Sequence, residues 1–179
     1  EGTPEDLDLE VRALRERKLP VDTAAVDAHL GYYLERNLGG RLTEDIIAPA
    51  RARGYKRIWL MGISLGGLGA LLYAREHAEE IDGVVVLAPF LGERGMIEEI
   101  VRAGGIEQWQ PGAIAPQDDE RFLLAWLKAY GAENPALPQI YLGYGKDDRF
   151  IAASAMLGKR LPPDRIVTLA GGHDWTTWS

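Results

Sequence analysis

Gly62-Ile63-Ser64-Leu65-Gly66 sets a serine in a Gly-x-Ser-x-Gly motif. A serine hydroxyl is a poor nucleophile unless a base takes its proton. An apolar run, Ile58-Trp59-Leu60-Met61, precedes the motif, and a helical pattern over Leu65–His77 follows it. A serine at a sharp strand-to-helix turn takes up a strained backbone, and flanking glycines let neighbouring main chain pass close by. Such a turn lifts the hydroxyl clear of the sheet and sets the Leu65 N–H at a helix N-terminus. An oxyanion there would meet a backbone donor and the positive end of a dipole. A tight turn with a capping serine is the plainer alternative.

Three histidines could supply the base. His77 lies late in the helix after Ser64, among Glu76, Glu79 and Glu80, and reads as a solvated helix-end residue. His29, in Asp27-Ala28-His29-Leu30-Gly31-Tyr32, could line a pocket but precedes the serine. His173, in Ala170-Gly171-Gly172-His173-Asp174-Trp175, falls just past the last predicted strand. Loops at that edge of a parallel sheet converge on one crevice. The third member of a triad must hold the imidazole in one tautomer and stabilise the imidazolium. Gly145-Lys146-Asp147-Asp148-Arg149 offers two aspartates at a strand end, one of which could instead cap the next helix. Glu93, after the preceding strand, is a lesser candidate.

Five segments read as strands: Val21–Val26, Ile58–Met61, Gly83–Leu87, Gln139–Tyr144 and Arg165–Leu169. The continuous apolar runs among them point to strands covered on both faces. Helical patterns lie between them, which predicts an α/β fold with a mostly parallel sheet and flanking helices. Thr3-Pro4-Glu5-Asp6 suits the opening of a first helix, whose Leu7, Val11 and Leu14 share a face. Thr43–Arg53 reads as a helix kinked at Pro49 and ended by Gly54. The basic residues Arg51, Arg53, Lys56 and Arg57 fit a solvated helix C-terminus, whose dipole favours cations. The stretch 92–130 carries two helical patterns, Met96–Ala103 and Asp118–Tyr130, and reads as a lid or cap inserted in one domain spanning 1–179.

Composition narrows the function classes. Cysteine is absent, which excludes disulfides, thiolate metal sites and a cysteine nucleophile; no metal and no cofactor is expected. Twenty basic residues against twenty-seven acidic ones leave a net charge of −7, the wrong balance for a nucleic-acid partner. The apolar runs fall far short of the roughly 20 residues that span a bilayer.

The order nucleophile, acid, histidine, each at a strand's C-terminal end, resembles that of the α/β-hydrolase superfamily. The resemblance covers nearly the whole chain and implies that family's three-layer sandwich. It makes Gly62–Gly66 the nucleophile elbow, with Ser64 the nucleophile and Leu65 N–H an oxyanion donor. In the family's acid loop the acid usually stands three residues after the glycine, which points to Asp148 over Asp147. Gly172-His173 resembles the histidine loop, and Asp27–Tyr32 resembles a loop that borders the active site. More narrowly, the chain is similar to a bacterial group of such hydrolases with no settled substrate.

The family sheet has eight strands, and its third lies between the fourth and the fifth. With Ser64 ending the fifth, this sequence supplies strands four to eight and lacks the first three. Loss of the third would leave strand edges unpaired, so the sequence is expected to be a fragment of a longer protein. The second oxyanion donor is expected near Gly2. Any targeting signal would lie upstream, which leaves the compartment open with the cytoplasm favoured. Nothing sets an oligomeric state.

These readings lead to a serine hydrolase acting on a small-molecule carboxylic ester or thioester through an acyl-enzyme. Asp27, His29, Tyr32, Tyr33, Trp109 and Trp175 are candidate pocket residues. A non-catalytic binding module of the same fold, or an acyltransferase using the same triad, are the alternatives, since fold alone does not separate them.

Overall fold

Four short segments of the chain pair side by side as a parallel sheet: β1 (Trp59–Ile63), β2 (Gly83–Leu87), β3 (Gln139–Gly145) and β4 (Ile166–Leu169). Their order in space is their order in sequence, and all three pairings are parallel. The computed structural model describes residues 7–131 and 136–178. The architecture is the expected α/β one, and the four strands are the last four of the five segments expected as strands.

Register sorts the side chains into two faces. Leu60, Val84 and Ile140 are aligned in one row, and Gly62, Val86, Leu142 and Ile166 in the next. The helix α5 (Leu65–Glu76) packs on β1 and β2, and α8 (Ile151–Gly158) on β3. On this face Val84, Val86, Ile140 and Leu142 are buried. The opposite face differs from the expectation of strands covered on both sides. Trp59 is 45% exposed, Met61 56% and Val167 58%. An apolar run reports that a strand tolerates burial, whereas a packed neighbour decides whether burial occurs.

Between β2 and β3 lies the long excursion, with α6 (Arg94–Arg102) and α7 (Asp119–Leu127). α7 packs against α5. Its Leu123, Leu124 and Leu127 are fully buried, as is Ile100 of α6. The N-cap of α7 is Asp118, whose carboxylate accepts from the Arg121 N–H at 2.9 Å. Arg121 also pairs with Glu99 at 2.9 Å, and the Trp109 indole N–H donates to the same carboxylate at 2.7 Å. These bonds hold Glu99 down at about 2, chiefly through Arg121.

Two compact units divide the chain, residues 7–55 and 56–178 of the described part. The first is helical: α1 (Asp8–Glu16), α2 (Leu30–Leu34), α3 (Leu38–Leu42) and α4 (Ala48–Ala52). Val21–Val26, predicted as a strand, is exposed and irregular, and pairs with no strand among the described residues. A strand needs a ladder partner, and Ala24-Ala25 at its centre add little β preference of their own. Thr43–Ile47 winds as a π-helical turn between α3 and α4. Pro49 explains it: proline lacks the N–H for the bond to residue 45 and crowds that carbonyl, so the turn widens ahead of it. Gly54 ends the helix at φ 92°, with Gly54 N–H bonded to Arg51 O and Tyr55 N–H to Ala50 O. The proposed opening at Thr3–Asp6 lies outside the described residues.

Candidate active site

The turn after β1 shows what the glycines are for. Ser64 sits at φ 52° and ψ −115°, a conformation that costs a non-glycine residue free energy. It is held from both sides by the chain leaving β2. The Ser64 N–H donates to Leu87 O at 2.9 Å, and the Phe90 N–H donates to Ser64 O at 3.0 Å. A Cβ on Gly62 would lie 2.1 Å from the Gly66 carbonyl oxygen, so only glycine lets α5 start this close to β1. Leu65 is the first residue of α5, at the positive end of the helix dipole.

The loops after β3 and β4 interlock through their main chains. Asp147 N–H donates to Gly171 O at 2.9 Å and Lys146 N–H to Leu169 O at 2.8 Å. A Cβ on Gly145 would stand 2.3 Å from Gly171 O, so side chains are excluded where the two loops cross. This clasp brings His173 over Asp148. His173 Nδ1 lies 2.9 Å from Asp148 Oδ2, and His173 Nε2 lies 2.9 Å from Ser64 Oγ. A carboxylate only accepts, so the proton of that pair sits on Nδ1, which leaves Nε2 as acceptor for the Ser64 hydroxyl. Asp148 is 2% exposed, and its second oxygen accepts the Phe150 N–H at 2.7 Å. Asp147, one residue earlier, is exposed. Of the two aspartates the structure joins Asp148, not Asp147, to His173.

The other candidates fall elsewhere. Glu93 is exposed at the N-cap of α6, its N–H bonded to Glu120. His77 is half-buried rather than solvated, stacked on Tyr73 at 4.5 Å and bonded to Glu80. His77, Glu79 and Glu80 bring metal-ligating atoms within 4.8 Å of one another, with Tyr73 already donating to Glu80. Trp109 is 1% exposed inside the excursion, with its N–H spent on Glu99 and the Arg121 guanidinium over its ring. Such a residue is a core member and not an open wall. Trp175 opens α9 (Trp175–Trp178), 36% exposed and 5.6 Å from the Trp178 ring.

Asp27, His29, Tyr32 and Tyr33 belong to the first unit. Asp27 is exposed in irregular chain; His29 caps α2 by accepting the Gly31 N–H, with its ring against Tyr32. Burial pushes the Tyr33 phenol up to about 12. Gly2 lies outside the described residues. Nothing in the types of Phe90 and Phe150 singles them out, because an aromatic after a strand looks like ordinary core. Yet both touch the constellation around Ser64.

Parts of this chain resemble known proteins. A family model described as serine aminopeptidase, S33, matches residues 42–119. The enterochelin esterase of Shigella flexneri is similar in structure, with a TM-score of 0.58 at 18% identity over 94% of this chain and 42% of that one. A ferulic acid esterase aligns at TM-score 0.47 and 16% identity, over 78% of this chain and 55% of its own. A monoacylglycerol lipase of Paleococcus ferrophilus aligns at 0.47 and 18%, over 76% and 67%. The chain thus spans about half the length of the first two. No curated protein matches the sequence. Among the described residues no helix is long and apolar enough to cross a membrane. The parallel sheet with α5 on one face and the turn after β1 give this chain the α/β-hydrolase fold.

Proposed function

We propose that the protein is a serine hydrolase that cleaves a carboxylic ester or thioester. The observation that carries this reading is the unbroken relay from Asp148 through His173 to Ser64, 2.9 Å at each link. His173 Nε2 takes the Ser64 proton as Oγ attacks the acyl carbonyl, and Asp148 steadies the imidazolium that forms. The tetrahedral oxyanion is met by the Leu65 N–H at the start of α5. His173 then protonates the leaving group. Water, activated by the same imidazole, releases the acid from Ser64. The excursion over residues 92–130 acts as the cap over this site, and Trp175 lines its approach.

A fluorophosphonate probe tests the reading in the full-length protein. Intact mass should show one adduct on the wild type and none on Ser64→Ala. Absence of labelling in the wild type, or labelling that survives Ser64→Ala, overturns it.

A further inference from the structure

Phe150 stands where three parts of the site meet. Its N–H donates to Asp148 Oδ1 at 2.7 Å, holding the carboxylate oxygen that His173 leaves unused. Its ring meets the imidazole of His173 edge to face, with centroids 5.0 Å apart and planes at 87°. The same ring packs at 78° against Phe90, 5.6 Å away. Phe90 in turn donates its N–H to the Ser64 carbonyl. One residue therefore touches the acid through its backbone, the base through its ring and, by way of Phe90, the turn that carries the serine.

Hydrogen bonds at Nδ1 and Nε2 tether the imidazole at two points, but they leave it free to tilt about the line joining them. Packing must set that tilt. Trp178 packs on the imidazole at 4.8 Å and 89°, and Phe150 supplies the second contact. A flat ring with few rotamers suits the task, because aromatic pairs favour edge-to-face geometry and lose little entropy on ordering. The Arg149 guanidinium, 4.9 Å from the Phe150 centroid, holds that ring in place in turn.

We propose that Phe150 is a positioning residue: it sets the tilt of His173 so that Nε2 stays aimed at Ser64 Oγ. This rests on the reading of Ser64, His173 and Asp148 as a catalytic triad. A Phe150 that merely filled space would affect stability and leave turnover unchanged.

The test compares the full-length wild type, Phe150→Leu and Phe150→Tyr in p-nitrophenyl acetate hydrolysis, with thermal melts to show that each is folded. Leucine keeps an apolar side chain and the backbone bond to Asp148, and it removes the flat ring. The expected result is a kcat about ten- to a hundredfold lower with KM within about twofold, as befits misalignment of reacting groups. Phe150→Tyr, which keeps the ring, should bring kcat back to within about threefold of the wild type. Should Phe150→Leu not fold, Phe150→Met carries the same expectation. An unchanged kcat in the folded leucine or methionine variant, or an equal loss in Phe150→Tyr, overturns the positioning role while wild-type labelling at Ser64 stands. A wild type that is neither labelled nor active removes the triad reading, and the positioning role falls with it.

Discussion

At the scale of single residues, two adjacent aspartates separate sharply. Asp148 is buried and bonded to His173, whereas the Asp147 side chain is exposed and only its backbone engages the histidine loop. Asp148→Asn and His173→Ala should each lower ester turnover by roughly 10³-fold or more. Asp147→Asn should cost far less, and steady-state assays of the three variants check the ranking. The glycines separate in the same way. A Cβ at Gly62 would strike the Gly66 carbonyl, while at Gly66 it would meet nothing within 4 Å. Gly62→Ala should therefore lower the melting temperature clearly. Gly66→Ala should leave it level or slightly raised, since alanine outranks glycine in a helix by about 1 kcal/mol. Residue types announced the motif but not these differences, which depend on what lies across the turn.

At the scale of elements, the excursion is braced by charge as well as by apolar packing. Arg121 bonds Glu99, Glu99 accepts the Trp109 indole N–H, and Lys128 donates to Trp109 O at 2.6 Å. Arg160, buried near α8, donates to Lys128 O at 2.8 Å. The Glu99 carboxylate sits at about 2, below its usual range, because Arg121 and Trp109 favour the charged form. A depressed carboxylate stabilises the fold above its unfolded value of about 4.3, and that contribution is lost as pH falls toward 2. Urea unfolding should thus show Glu99→Gln weaker than the wild type at pH 6, with the gap about halved at pH 3. A gap that stays constant with pH would show that the ion pair is not the cause. Both helical patterns were legible in the sequence, since amphipathic spacing is local. Glu99 and Arg121 are 22 residues apart, and no local pattern announces their pairing.

At the scale of the whole molecule, the sheet separates a packed face from an open one. Leu142 is 1% exposed on the face that carries α5 and α8, and Val167 is 58% exposed on the other. Leu142→Ala should cost about 2–5 kcal/mol, the usual range for emptying a core leucine. Val167→Ala should stay within about 0.5 kcal/mol, as surface changes do. Chemical denaturation measures both, and a large loss at Val167 would mean that the face is covered. The four strands β1 to β4 were readable as apolar runs of the right length between helical patterns. Val21–Val26 was not, because apolar content does not supply a neighbouring strand.

Local chemistry determined much of this protein from sequence alone: the strand-to-helix turn at Ser64, the alternation of strands and helices, and the parallel sheet that follows from it. Those features depend on residues a few positions apart, where backbone freedom and side-chain period are set by type. Tertiary structure decided which groups meet. Ser64, Asp148 and His173 come from loops 109 and 25 residues apart, and their contact depends on strand order and on the crossing of Gly145 with Gly171. The same holds for Phe150 beside His173 and for the open face of the sheet. Distances through space are set by packing, and packing is a property of the folded chain.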